Sequence, residues 1–158
     1  MNGYTFERRE LKYRITDAQR AALEAAFDAR MVPDEHGEST ICNIYYDTAD
    51  YRLIRASLEK PAYKEKLRLR SYGVTEPGGE VFLELKKKYK GIVYKRRVSM
   101  PYAQAISFLA GKSSAPEGQI YRELSWMLAS YPHLTPKVFL SYERDSWQGI
   151  EQSALRLT

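Results

Sequence analysis

The residues best placed to do chemistry in this chain are cations, and they alternate. In Tyr63-Lys-Glu-Lys-Leu-Arg-Leu-Arg70 the even positions Lys64, Lys66, Arg68 and Arg70 are all basic, while Leu67 and Leu69 take odd ones. Strand side chains have a period of two, so this segment presents one basic face and one face that becomes apolar. Val81 to Lys88 repeats the pattern, with Glu84, Lys86 and Lys88 opposite Val81, Leu83 and Leu85. Val93 to Val98 does so again, with Lys95 and Arg97 opposite Tyr94 and Val98. The stretch Lys60 to Arg97 holds 12 of the 25 Lys and Arg residues and only four acids, inside a chain of net charge +5, so the rest of the chain is net acidic. Such asymmetry points to an anionic partner.

A single basic strand face is ordinary solvated surface. Three neighbouring ones are harder to dismiss, because like charges directly opposite each other on paired strands repel. Arg forks match phosphate oxygens bidentately and Lys adds compact charge. A set rich in both would be neutralised by a ligand bearing several phosphates.

Other chemistries find little support. Gly111-Lys112-Ser113 resembles the end of a phosphate-binding P-loop, but Ile106 stands where that motif needs its first glycine. His36 and His133 fall in expected loops without metal-ligand spacing. Cys42, the only cysteine, is in phase with Ile44 and Tyr46 and reads as a buried small hydrophobe. With no disulfide to form, a reducing, cytoplasmic setting is expected. The N-terminus lacks the apolar core of a signal peptide, and no apolar run reaches the roughly 20 residues of a membrane span. RNA-recognition aromatic spacing is absent, although basic strands with tyrosines leave nucleic acid open.

The elements that must position the cations follow from periodicity. Phe6 to Ile15 reads as a first strand packed through Leu11, Tyr13 and Ile15, and Thr16-x-x-Gln19 is a capping box opening a helix. Pro33 lies beyond that helix, His36-Gly37-Glu38 reads as a turn, and Thr40 to Asp47 as a strand. A short helical segment precedes Pro61. The three basic strands come next, separated by Glu76-Pro77-Gly78-Gly79 and Tyr89-Lys90-Gly91, both short enough for antiparallel neighbours. Helices over about Pro101 to Ala110 and Glu117 to Tyr131 are expected to cover the apolar side of the sheet. Lys137 to Trp147 and Ala154 to Thr158 return as strands, and the chain ends inside the pattern, as a truncated domain would.

The basic face holds Lys12, Lys64, Lys66, Arg68, Arg70, Lys86, Lys88, Lys95, Arg97, Arg144 and Arg156, which cannot share a dry core. They could line a wet tunnel if the antiparallel strands close into a barrel with helices outside. Glu10 and Glu84, in phase with these cations, either pair with them or hold a divalent metal, and oxygen ligands suit Mg²⁺ or Mn²⁺.

Six ordered motifs carry a resemblance: Glu7-Arg-Arg-Glu-Leu-Lys-Tyr13, Tyr45-Tyr-Asp-Thr48, Lys66-Leu-Arg-Leu-Arg-Ser-Tyr-Gly73, Phe82-Leu-Glu-Leu-Lys86, Tyr94-Lys-Arg-Arg97 and Tyr142-Glu-Arg144. Together they resemble the VTC-type polyphosphate polymerase domain of the triphosphate tunnel metalloenzyme (CYTH-like) superfamily, from about Phe6 to Thr158. The resemblance implies an α+β fold, an antiparallel β-barrel (the triphosphate tunnel) with helices packed outside, binding ATP or another triphosphate and polyphosphate with Mn²⁺ or Mg²⁺. By motif, Lys12, Arg68, Arg70, Lys86, Lys95, Arg144 and Arg156 match its phosphate-binding cations. Two departures stand out. Arg8 occupies a position where the superfamily's Glu-x-Glu-x-Lys strand has a glutamate, which favours polymer synthesis over hydrolysis. The family's late metal-binding glutamate, last strands and C-terminal helix would fall after Thr158, so residues 1–158 are expected to form one incomplete tunnel domain. The alternatives are a tripolyphosphatase or nucleoside triphosphatase, and a non-catalytic polyphosphate or nucleic-acid binding module. A closed tunnel would admit a phosphate chain but not nucleic-acid bases, so no specific nucleic acid is expected.

Overall fold

The computed structural model describes residues 10–27, 29–113, 116–152 and 154–158, with the side chain of His36 left aside. The chain is α+β, and its described residues form four helices and an antiparallel sheet in the order β4-β3-β2-β1-β5-β6. Its elements run α1 (Asp17–Phe27), β1 (Met31–Asp47), α2 (Arg52–Leu58), β2 (Tyr63–Tyr72), β3 (Glu80–Tyr89), β4 (Ile92–Pro101), α3 (Tyr102–Leu109), α4 (Gln119–Ser130), β5 (Thr135–Gly149) and β6 (Arg156–Leu157). Two compact units emerge, Met1–Gly37 with Asp145–Thr158, and Glu38–Arg144.

The larger unit is built on the period-two pattern. Leu67, Leu69, Val81, Leu83 and Leu85 all point to one side and are buried with Tyr46, Met100 and the helix residues Leu53, Ala105, Phe108, Leu124 and Met127. This places α3 and α4 over the apolar face, as the sequence predicts, and α2 joins them. Within this unit the sheet is strongly curled, an incomplete barrel. The β3–β4 connection is a two-residue turn, Lys90 at φ 45° and Gly91 at φ 88°, closing the Tyr89–Ile92 pair. Two positive-φ residues match the right-handed strand twist, the property that makes such turns tight.

Helix α2 is capped from a distance. Its N-cap, Tyr51, has φ 58° and offers no side-chain hydrogen bond. Buried Asp47, at the end of β1, replaces it: Oδ1 accepts from the Leu53 N–H at 2.9 Å, and Oδ2 from the Ile54 N–H at 3.0 Å. Oδ1 also accepts from the Thr48 N–H at 2.8 Å. The end of β1 and the start of α2 are thus fixed together.

In the smaller unit the capping box forms as read: the Thr16 N–H donates to Gln19 Oε1 at 2.9 Å, and the Gln19 N–H to Thr16 Oγ1 at 3.3 Å. Arg20 pairs with Glu24 at 2.7 Å and Asp145 at 2.6 Å, and the Phe27 and Trp147 rings lie 5.4 Å apart. Two expectations are corrected. Residues 10–16 are irregular, and Leu11, Tyr13 and Ile15 are exposed at 59%, 77% and 49%, because no strand among the described residues pairs with them; the Phe6 to Arg9 part of that expected strand lies outside the described residues. His36-Gly37-Glu38 is not a turn between elements but part of β1, where Gly37 takes φ +48° and its N–H donates to Asp34 Oδ1 at 3.2 Å. A glycine accommodates that local kink within a continuing strand.

Asp47→Ala removes three charge-assisted acceptor contacts at a helix start. It should lower unfolding stability by about 1–2 kcal/mol, read as a lower urea midpoint with unchanged slope, and Asp47→Asn should recover part of the loss. No change in either variant would mean that α2 is held by Leu53 packing alone.

Candidate functional site

The cations of β2, β3 and β4 share the face opposite the apolar core, and register sets them in rows. Lys66 pairs with Lys86, which pairs with Lys95, giving three lysines in direct opposition across three strands. The next row is Tyr45, Arg68, Glu84 and Arg97, and the one after it Asn43, Arg70, Phe82 and Ser99.

Glu84 is the centre of this face. It is 1% exposed. Arg68 Nε lies 2.5 Å from Oε2, and Arg70 Nε 3.9 Å from the same oxygen. Lys95 Nζ lies 3.1 Å from Oε1 and Arg97 Nε 3.6 Å from it. Neither approach to Oε1 has hydrogen-bond geometry, so charge alone holds that oxygen. Burial opposes ionisation of Glu84, but Arg68, joined by Arg70 and Lys95, outweighs it and holds the carboxyl below the usual carboxylate range. One carboxylate cannot neutralise four cations, and the surplus positive charge faces away from the core.

Each of the three arginines is also steered by a neighbour. Arg68 Nη1 donates to the Tyr45 hydroxyl at 3.1 Å, and buried Arg70 donates from Nε to Asn43 Oδ1 at 3.1 Å. Arg97 Nη2 donates to the Tyr72 hydroxyl at 3.2 Å, and its guanidinium lies 3.6 Å from the Phe82 ring centroid. Burial acts against the ionised Tyr72 phenol, yet Arg97 and Arg70 bring it below its ordinary range. Asn43, Tyr45, Tyr72 and Phe82 were not anticipated as site residues. The signal for two of them was present: Asn43 and Tyr45 alternate with Cys42, Ile44 and Tyr46, whose buried or packed positions assign the other face.

The expected site residues divide by location. Lys64, Lys66, Arg68, Arg70, Lys86, Lys95 and Arg97 lie on one sheet face of the larger unit. Lys64 is tethered at its strand end, donating from Nζ to the Ser57 carbonyl at 3.2 Å. Arg144 is half-buried on β5 with its Nε lacking a partner. Ser141 meets Cys42 at 3.7 Å, so alternation along β5 sets Arg144 on the face of Asn43 and Tyr45. Lys12, Glu10 and Arg156 belong to the smaller unit. Lys12 pairs with Glu10 at 3.3 Å in the exposed irregular segment, and Arg156 with Asp34 at 3.3 Å.

Among the described residues no donor set for a resident divalent metal comes together. Glu84 presents both oxygens to cations, and Glu10 is spent on Lys12. Arg8 lies outside the described residues.

Because the folded carboxyl of Glu84 titrates below its unfolded value near 4.3, its contribution to stability is present above that pH and is lost as pH falls through the lower folded value. Glu84→Gln should therefore have a lower urea midpoint than wild type at pH 7, with the gap narrowing below about pH 4. A gap independent of pH would assign the effect to packing.

The geometry stands beside one family-level finding. The family model of the VTC domain matches residues 7–158. No curated protein matches the chain. The match covers nearly the whole sequence, including every strand that builds the cationic face, and the chain therefore belongs to the VTC domain family.

Proposed function

We propose that the chain is a polyphosphate polymerase-like domain that transfers the γ-phosphoryl group of a nucleoside triphosphate to a polyphosphate chain. The VTC family supplies the polyphosphate-related function. The observation that carries the finer reading is the single buried carboxylate among four cations, beside a row of three lysines in register. This is a surface organised for a multiply charged linear anion. Lysines placed side by side destabilise a sheet unless something anionic lies between them.

In the proposed reaction the terminal oxygen of the polyphosphate attacks the γ-phosphorus in line. A new P–O–P bond forms, the bond from the γ-phosphorus to the β–γ bridging oxygen breaks, and the nucleoside diphosphate leaves with that electron pair. Arg68 and Arg97 flank the reacting phosphoryl and spread its charge, while Lys95 and Arg70 hold the groups on either side. Glu84 keeps the four cations in place when no phosphate is bound. The work is orientation and electrostatic stabilisation, with no covalent intermediate on the protein. The substrate is a nucleoside triphosphate with its own Mg²⁺ or Mn²⁺ counter-ion, carried on phosphate oxygens. The reading takes the reaction to be cytoplasmic; no helix among the described residues is long and apolar enough to cross a membrane.

Incubation with ATP, Mn²⁺ and a short polyphosphate primer separates the readings. Lengthening polymer with equimolar nucleoside diphosphate is the expected outcome. Orthophosphate without polymer would make the protein a triphosphatase, and binding without turnover would make it a polyphosphate-binding module.

Binding itself has a second readout. Polyphosphate at about 100 times its Kd should stabilise the fold by roughly 2.7 kcal/mol, seen as a raised Tm. Arg68→Gln and Lys95→Gln should shrink this rise more than Lys90→Gln, which sits in the exposed β3–β4 turn with its ammonium 5.4 Å from the Tyr89 ring. Equal responses from all three would indicate diffuse surface attraction.

A further inference from the structure

The sheet leaves two strand edges open, and they are guarded differently. β4 carries Lys95, Arg96 and Arg97 in succession, and charge on an edge discourages another strand from pairing there. β5 lacks such a guard. Beyond it lies only the two-residue β6, paired at Trp147 and Gln148, so no described strand covers the outer edge of residues 135–146. Val138-Phe-Leu-Ser-Tyr142 holds no charge, proline or glycine. Residues 138–143 are all exposed, Phe139 to 65%, so both faces of this stretch meet solvent. A long, apolar, unpaired edge is a template for strand addition.

The backbone phase of β5 decides what can pair with it. Successive strand residues turn their N–H and C=O groups to alternate sides. The Leu140 carbonyl accepts from Asn43 Nδ2 at 3.5 Å, on the β1 side, and further along β5 the Gly149 N–H donates outward to the Leu155 carbonyl at 3.0 Å. The odd-numbered residues Lys137, Phe139, Ser141 and Glu143 therefore aim their backbone groups at the open edge. Pro136 is even-numbered and removes no donor from it.

A second copy laid antiparallel about a two-fold axis at Leu140 uses those groups. Phe139 exchanges backbone hydrogen bonds with the second copy's Ser141, and Lys137 with the second copy's Glu143, each pair occurring twice. Between them Leu140 meets Leu140, and Val138 meets Tyr142. Opposite charges thus stand face to face at both ends, and apolar side chains meet at the centre. Centring the pair on Phe139 or Ser141 instead leaves no charge pair within residues 137–143. An edge complementary to itself in backbone phase, charge and apolar contact favours a copy of the same chain over an unrelated strand.

We infer that the open edge of β5 is a homodimer interface, two copies pairing antiparallel through residues 137–143 about Leu140. The axis stands perpendicular to the paired strands' sheet, so the cationic faces of both copies lie on the same side. This assignment does not depend on the polyphosphate reading.

Sedimentation of the full chain in phosphate-free buffer, at rising protein concentration, should show the mass pass from one chain to two. Lys137→Glu and Glu143→Lys each set like charges opposite at two points across the axis, and each should weaken self-association about tenfold or more. Mixed in equal amounts, the two variants restore both opposite-charge pairs, so the mixture should dimerise about as tightly as wild type. Leu140→Lys, which places two like charges on the axis itself, should match the loss seen in the single charge variants. Lys137 also lies 5.2 Å from the Tyr51 ring, so urea unfolding of each variant checks that the fold is kept. Wild type that stays a single chain at every concentration would overturn the interface, and edge amides protected from exchange in that single chain would give the edge to another segment of the same molecule. A dimer indifferent to all three substitutions, or a mixture no tighter than its components, would overturn it equally.

Discussion

Glu84 sets the electrostatics of this domain. A carboxylate removed from water is costly unless it is paired, and here, among the described residues, it is the one acid within reach of four cations, two on β2 and two on β4. Neither side of that arrangement is stable alone. Without Glu84 the half-buried Arg68 and the buried Arg70 would face Lys95 and Arg97 with no counter-charge. Without the cations Glu84 would be an uncompensated charge in the sheet. The cluster thus ties β2, β3 and β4 together through side chains, and it leaves a surplus of positive charge that only an external anion can complete.

The two faces of the same strands obey different rules. On the helix-covered face, Lys87 and Arg96 also stand among apolar neighbours, but both reach Glu123 of α4, at 3.1 and 3.0 Å. Burial works against the Glu123 charge, while Arg96 and Lys87 hold its carboxyl below the usual range. Glu65, buried on that face, accepts from the Tyr63 hydroxyl at 2.8 Å. Charge there is locally balanced and locks helix to sheet. One residue along each strand, on the other face, balance is withheld: Lys66, Lys86 and Lys88 have no acid among the described residues. The proposed binding of an anion rests on that imbalance between the two faces.

Much of this was legible from spacing. Period-two alternation identified β2, β3 and β4 and their two faces, since a strand leaves a side chain only two directions. The same rule placed Cys42 with the core and marked the helices as the cover for Leu67 and Leu69. Reading failed where local pattern lacked a partner. Leu11, Tyr13 and Ile15 alternate as a strand should, yet a strand exists only when another donates and accepts its backbone hydrogen bonds, and none among the described residues does so. His36-Gly37-Glu38 carries a turn-like composition, but pairing along β1 absorbs the glycine's positive φ inside the strand.

The sequence by itself determined which side chains share a face, because that depends only on backbone periodicity and the apolar residues that must leave water. It also determined the surplus of cations on that face. Tertiary structure decided which of those cations meet. Register brought Arg68, Glu84 and Arg97 into one row and made Lys66, Lys86 and Lys95 another, and a slip of two residues would have kept every face intact while dissolving both. It also set Glu84 among four cations, a grouping that only strand pairing could show. Periodicity is local and written in the chain; register is a relation between strands, fixed by the two-residue turn and by packing against the helices.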